Sequence, residues 1–296
     1  MNSISSKIIL VPVDYTERAV HAIGHALVMA RLFGYRINLL HVITKKVDKD
    51  DEAKAQKKIG KFAADFYKKS GVEIQGIVRE GSIFTTIGET ANEIKADLIL
   101  MGIHGKKGLQ HLFGSFAYKV ICSSSVPVAV VKNPLKKKNF ENIVLPIDFS
   151  KESTIKVNQA IKYAHYFGAS IRIIGILDTK STVMKIHKEA LLKKVMDYIK
   201  SAGVNVTADV LIQPGSDVHK ATLKYADDID ADMIIIVAEK EGGLSDIFSK
   251  NSAEEIIDKA EMPVMTIIPN PDEKDFSDSQ GKIVKSFVDP LGLIKN

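Results

Sequence analysis

The chain has 296 residues, 45% hydrophobic and 26% charged, with a net charge of +5. At roughly 100–200 residues per domain the length predicts two domains, and the composition excludes a disordered or collagen-like chain. No apolar run reaches the roughly 18 residues of a membrane span, and the charge is too small to demand nucleic acid, so neither partner is expected.

Residues 7–13 form an apolar run ending at Asp14, followed by a helical pattern over 16–33 that Gly34 closes. Ile37 to Ile43 is a β-branched, leucine-rich strand. From Asp50 to Ser70, Ile59, Phe62, Ala63, Phe66 and Tyr67 fall on one helical face, and Gly71 ends that helix. Val72 to Val78 reads as a strand, Ser82 to Ile94 as a helix, and Asp97 to Ile103 as a continuous apolar strand. Ser115 to Ser124 is a helix, and Val126 to Val131 a last strand. Wholly apolar strands alternating with amphipathic helices predict a parallel sheet covered on both faces.

The same series then recurs. Ile9 to Asp14 returns as Ile143 to Asp148, Phe33-Gly34 as Phe167-Gly168, and Gly71-Val72 as Gly203-Val204. Gly81-Ser82 returns as Gly215-Ser216, Ala96-Asp97 as Ala231-Asp232, and Val126-Pro127 as Met262-Pro263. A spacing of 132–136 residues is too long for a solenoid repeat and marks a duplicated domain. Strands of the second copy are expected at 142–147, 170–177, 204–212, 232–238 and 263–268. The domains are therefore placed at 1–135 and 142–269, with a tail over 270–296. The tail is polar to Gly281 and partly apolar from Ile283 to Ile294, so it reads equally as a frayed end or a docking segment. Residues 1–135 carry a net +7 and residues 142–269 a net −3, so the first copy is the better host for an anion.

In an open α/β sheet, ligands bind beyond the carboxyl ends of the strands. Those ends are Asp14, Val42 and Gly102-Ile103-His104-Gly105 in the first copy. The last opens a loop with Lys106 and Lys107, and Gly114-Ser115 then begins a helix. Glycines admit phosphate close to backbone N–H groups, a helix N-terminus adds free donors, and the lysines supply countercharge. Asp14 accepts only, as an adenine amino group requires, but it equally suits capping of the following helix. Gly102 and Gly105 also fit simple turns. His104 and His111 have no carboxylate or cysteine at ligand spacing, so no metal site and no catalytic residue is assigned. Cys122 cannot close an internal disulfide and reads as a buried structural thiol. Met184, Met196 and Met262 read as core fillers. His21 and His25 stand one residue too far apart for a His-x-Gly-His nucleotidyl-transfer signature, and inside a helix rather than at its start.

The duplicated strands and the Gly102-x2-Gly105-x8-Gly114-Ser115 loop resemble the universal stress protein family in its tandem form, over about 7–132 and 142–268. ATP-binding members carry Gly-x2-Gly-x9-Gly-Ser/Thr, so this loop is one residue shorter. The resemblance implies two Rossmann-like, adenine nucleotide alpha hydrolase-like domains. Each is a five-stranded parallel sheet of order 3-2-1-4-5 with helices on both faces. Pro12, Val13, Asp14 and Val42 would hold adenine and ribose. Gly102, Gly105, Gly114, Ser115 and Phe116 would follow the phosphates, with His104 and Lys106 beside them. The second copy places Val237, Lys240 and Lys250 at the three glycine positions, with Glu239 and Glu241 between. It is therefore expected to have lost ATP, with a different, uncharged ligand left open.

The function so implied is a cytoplasmic stress-response protein binding ATP, ADP or AMP in its first domain, with or without Mg2+. Pairing of last strands would join the two copies into an intramolecular pseudo-dimer, and a homodimer stays open. A start at Met1 to Lys7 without an apolar leader and a lone cysteine fit the cytoplasm. A nucleotide-independent interaction module and a slow ATPase stay open as alternatives.

Overall fold

The computed structural model describes residues 7–103, 114–137, 140–147, 151–177, 181–212, 217–238 and 250–267. The chain divides into two compact units, 1–138 and 139–296. The first contains β1 (Ile8–Pro12), α1 (Glu17–Phe33), β2 (Arg36–Ile43), α2 (Lys49–Ser70), β3 (Ile74–Glu80), α3 (Ile83–Glu93), β4 (Leu98–Gly102), α4 (Gly114–Ser123) and β5 (Val128–Val131). Its strands are all parallel, in the order β3-β2-β1-β4-β5. The path runs outward from β1 to β3, then returns across to β4 and β5. With right-handed crossovers that reversal puts α1 and α2 on one face and α3 and α4 on the other.

The second unit repeats the scheme with β6 (Asn142–Ile147), α5 (Lys151–Phe167), β7 (Ser170–Leu177), α6 (Thr182–Ser201) and β8 (Val206–Ile212). It continues with α7 (Val218–Asp228), β9 (Met233–Val237), α8 (Lys250–Lys259) and β10 (Val264–Ile267). Its order is β10-β9-β6-β7-β8, again parallel. Among the described residues, no helix is long and apolar enough to cross a membrane.

Local chemistry sets the element ends. Gly34 and Gly71 close α1 and α2 in left-handed conformation, at φ 68° and 71°. β3 begins at Ile74, two residues later than the pattern suggests, because the Gly71 cap and a Ser70 Oγ bond to the Val72 amide occupy the intervening chain. Ile59 and Ala63 form the buried stripe of α2, whereas Tyr67 is exposed. Met184, Met196 and Met262 are half-buried, not core, and so is Cys122.

The repeated Ala-Asp pair has a structural reason. Asp97 Oδ2 accepts the Ile8 amide at 2.9 Å, and Asp232 Oδ2 accepts the amides of Glu141 and Asn142 at 2.8 and 2.9 Å. Each carboxylate satisfies the start of the unit's central strand from the strand beside it. A charged acceptor lost from a buried donor costs about 1–3 kcal/mol. Asp232→Ala is therefore expected to destabilise the second unit by about 3 kcal/mol, and Asp97→Ala, which frees one amide rather than two, by less. Urea unfolding of the two variants checks the order.

Three α1 side chains hold the chain leaving β5. Arg18 donates to the Lys132 carbonyl at 2.5 Å, His21 Nδ1 lies 3.0 Å from the same oxygen, and His25 Nε2 lies 3.1 Å from that of Asn133. A carbonyl only accepts, so each imidazole donates through the named nitrogen. His25 is 3% exposed, and its Nδ1 has no partner among the described residues. Burial pushes its pKa below 6.5, outweighing the Asn133 bond, and His21 lowers it further. The unfolded chain therefore binds more protons just below pH 6.5, and stability falls as pH drops through that range. Thermal midpoints between pH 5 and 7.5 should fall more steeply for the wild type than for His25→Gln.

Candidate functional site

The reversal of strand order between β1 and β4 leaves a crevice at their carboxyl ends, where open α/β sheets bind ligands. A cavity of about 210 Å³ opens there. Pro12, Val13 and Asp14 line it from β1, with His41 and Val42 from β2 and Met101, Gly102 and Ile103 from β4. Ile83 and Ile87 of α3 and Phe116, Ala117 and Val120 of α4 form the far wall. Pockets that enclose a drug-sized ligand run about 300–1,000 Å³. This slot is smaller and apolar, and suits one planar heterocycle with the rest of its ligand outside.

The cleft floor is tied by hydrogen bonds. The Val13 amide donates to the Leu40 carbonyl at 2.7 Å, and His41 Nδ1 donates to the Val13 carbonyl at 3.0 Å. Asp14 stands exposed at the mouth. Its Oδ1 accepts the Thr16 amide at 3.0 Å and the Thr16 hydroxyl at 2.6 Å, an Asx turn just ahead of α1. Thr16, not Asp14, holds the N-cap position of α1. One Asp14 oxygen thus fixes the turn while the carboxylate remains at the cleft.

Between them Tyr15 takes a left-handed backbone, φ 63°, which a non-glycine residue adopts only under constraint. The constraint is aromatic. Its ring lies 4.9 Å from His41 and 5.3 Å from Phe62, with Lys58 Nζ 3.8 Å above it. Helix α2 therefore braces the turn that aims Asp14. On the opposite wall Phe116 packs against Phe84 at 4.8 Å, with Lys119 over both rings.

Gly102 has a different role from the one its place in the loop pattern suggests. A Cβ there would lie 2.2 Å from the Arg18 carbonyl oxygen and 2.5 Å from its carbon. The glycine is required by the close approach of α1 to β4, independently of any phosphate.

Pro12, Val13, Asp14, Val42, Gly102 and Phe116 thus meet at one cleft, and Gly114 and Ser115 open α4 beside it. His104, Gly105 and Lys106, with Lys107 and His111, lie outside the described residues, as do Asp148, Glu239, Lys240, Glu241 and the tail. His41, Ile83, Ile87 and Met101 are additional lining residues that read in sequence only as strand and helix interior. Among the described residues no three His, Cys, Asp or Glu side chains cluster as a metal site, so none is assigned to hold Mg2+.

The second unit's counterpart is built differently. Val237 stands where Gly102 does and is buried, as are Leu177, Ala238, Ala253 and Ile256 of the same unit. Lys156, the counterpart of Ala22, is 2% exposed and its Nζ donates to the Pro146 carbonyl at 2.7 Å. An ammonium group thus sits at the end of the central strand, beside the equivalent of Pro12.

The family model described as the universal stress protein family matches twice, over residues 5–132 and 139–267. A universal stress protein of Methanocaldococcus jannaschii is 32% identical over 148 residues, 44% of this chain and 85% of its own length. Universal stress protein G of Salmonella typhimurium is 29% identical over 146 residues, 43% of this chain and 99% of its own length. The crystal structure of a universal stress protein from Archaeoglobus fulgidus superposes with a TM-score of 0.73 at 21% identity, covering 90% of this chain and 100% of that one. With both copies matched and the fold shared along nearly its whole length, the chain belongs to the universal stress protein family and carries two tandem copies of its domain.

Proposed function

We propose that the first unit binds an adenine nucleotide (ATP, ADP or AMP) and that the protein serves as a cytoplasmic stress-response binding protein. The observation that carries this reading is the apolar slot at the β1/β4 reversal, with Asp14 at its mouth and the N-terminus of α4 beside it. The slot takes the base between Val42 and the α3/α4 wall. Asp14 accepts the exocyclic amine, and the free N–H groups opening α4 receive phosphate. His104, Gly105 and Lys106 are further contacts to the same nucleotide in this reading. Lys156, and Lys250 in the place of Gly114, support confining the ligand to residues 1–135, leaving 142–269 as a partner domain without nucleotide and 270–296 as a tail. Pairing of the two copies through their last strands is part of the same proposal.

Calorimetric titration of nucleotide-stripped protein with Mg-ATP, repeated with EDTA, tests it. One site per chain is expected. Gly114→Val should abolish the heat, and Asp14→Ala should weaken binding about tenfold, the worth of one charged hydrogen bond. Absence of heat with all three nucleotides would leave the interaction module as the function.

A further inference from the structure

We propose that the second unit carries a binding site of its own, for a protonated organic amine, in the groove between β8 and α7, with Asp209 receiving the ammonium group. A cavity of about 620 Å³ lies there, within the size range of pockets that enclose a small organic ligand. Its floor is apolar, made by Ile174 of β7, Leu211 of β8 and Ala221 of α7. Asp209 stands on β8, and its Oδ2 accepts the Tyr225 hydroxyl of α7 at 2.7 Å. Burial first, and then the bond to Asp209, push the Tyr225 pKa upward, so the hydroxyl stays protonated and keeps the carboxylate in place.

The groove departs from the first unit, where the same space is filled. The strand registers place Asp209 where Ile77 stands and Leu211 where Arg79 stands. Lys95 and Asp230 follow α3 and α7 in the same left-handed conformation, which aligns Tyr225 with Thr90, Ala221 with Thr86 and Asp228 with Glu93. In the first unit Thr86 and Thr90 are buried, Ile77 is half-buried, and Arg79 donates to Glu93 at 2.8 Å from strand to helix. Leu211 removes that clasp, and Asp228 accepts instead from Lys224 of its own helix at 2.6 Å. A carboxylate and a phenol thus replace an aliphatic side chain and a threonine where the helix faces the strand.

Charge selects the class of ligand. Of the carboxylates lining the groove, Asp217 pairs with Lys220 and Asp228 with Lys224. Asp209 has no ion pair among the described residues, and Arg172 on the neighbouring strand donates to Asn142 at 2.8 Å and to Thr207 at 3.0 Å instead. The groove therefore offers one uncompensated negative charge beside an aromatic ring and an apolar floor. A hard metal ion needs a shell of oxygen ligands, and among the described residues no such cluster of side chains is present. An anion would have to break the lysine pairs and face Asp209 as well. An amine on an apolar body meets every feature: its ammonium reaches Asp209, and its body covers Ile174 and Leu211 against the Tyr225 ring.

Saturation-transfer NMR of the full chain at neutral pH with phenethylamine, phenethyl alcohol and phenylpropionate tests the site, since the three share a ring and differ in charge. Affinity should fall in the order amine, alcohol, acid. Asp209→Asn should weaken the amine about tenfold and leave the alcohol unchanged. Tyr225→Phe keeps the ring but frees Asp209, and should weaken the amine by less. Asp209 is exposed, so Asp209→Asn should keep the wild-type far-ultraviolet circular dichroism. The first unit also has an apolar slot with a carboxylate at its mouth, so the probe must be located: amine binding should survive Asp14→Ala and excess Mg-ATP. Binding lost in Asp14→Ala but kept in Asp209→Asn would overturn the proposal. So would an amine that does not bind, or binds no more tightly than the alcohol or the acid.

Discussion

Gly102→Ala is expected to lower the stability of the first unit by about 3 kcal/mol or more, at the upper end of what overpacking costs. The added carbon would sit 2.2 Å from the Arg18 carbonyl oxygen and 3.2 Å from the Ala19 amide nitrogen, so backbone must move. Neither β4 nor α1 can yield cheaply. β4 is held between β1 and β5, and Arg18 and His21 fasten the opening turns of α1 to the Lys132 carbonyl. The shift would propagate to the cleft, because Ala19 lines it and Asp14 precedes the same helix. Nucleotide affinity and stability should therefore fall together in this variant. In Gly114→Val, binding should fall while the melting midpoint holds. Thermal unfolding beside titration separates the two. Loss of binding with unchanged stability in Gly102→Ala would restore the view that this glycine serves phosphate.

That contrast shows what the sequence can and cannot disclose. Strands such as Ile8–Pro12 and Met233–Val237 are legible because burial on both faces leaves them wholly apolar, and the glycines closing α1 and α2 punctuate the chain at the right places. The duplication follows from there, whereas the strand order comes with the family resemblance and the crevice with that order. Of the proposed contact residues, Pro12, Val13, Asp14, Val42, Gly102 and Phe116 do converge, since strand ends on either side of the order reversal must meet. The reason for an individual residue is less legible. Gly102 fits a phosphate-loop pattern, yet its lack of a side chain is required by a helix more than 80 residues earlier. The Ala-Asp repeat is visible as a mark of duplication, but its task of satisfying the start of a neighbouring strand depends on a contact 89 to 91 residues away. Tyr67 shares the spacing of the α2 stripe but is exposed in the last turn of that helix, and Met184 sits on the first turn of α6 between the exposed Val183 and Ile186. Periodicity identifies a face without saying how far along it the covering extends.

Lys156 is the clearest case of a residue hidden by its own type. A lysine in the second turn of an amphipathic helix reads as surface, yet this one is 2% exposed with its ammonium on the Pro146 carbonyl. Lys156→Ala is expected to destabilise the second unit by about 3–4 kcal/mol, within the range for truncating a large buried side chain, because the volume of three methylenes and the ammonium is emptied and the Pro146 oxygen loses its donor. Lys156→Met keeps most of the volume without a buried charge, and should cost less than about 1.5 kcal/mol. Chemical unfolding of the pair distinguishes a packing role from an electrostatic one: equal losses would assign the stability to the ammonium, and a large difference to the filled volume. The same variants bear on the division of labour between the copies. Ala22 puts no polar group at the strand end of the first unit, whereas Lys156 supplies an internal cation at the matching place. If that ammonium is what excludes nucleotide, Lys156→Ala should gain a second, weak Mg-ATP site in the titration. If the rest of that strand end suffices, the stoichiometry should stay at one. The second outcome is expected, because removing one amine leaves Lys250 rather than a glycine opening α8, where Gly114 opens α4.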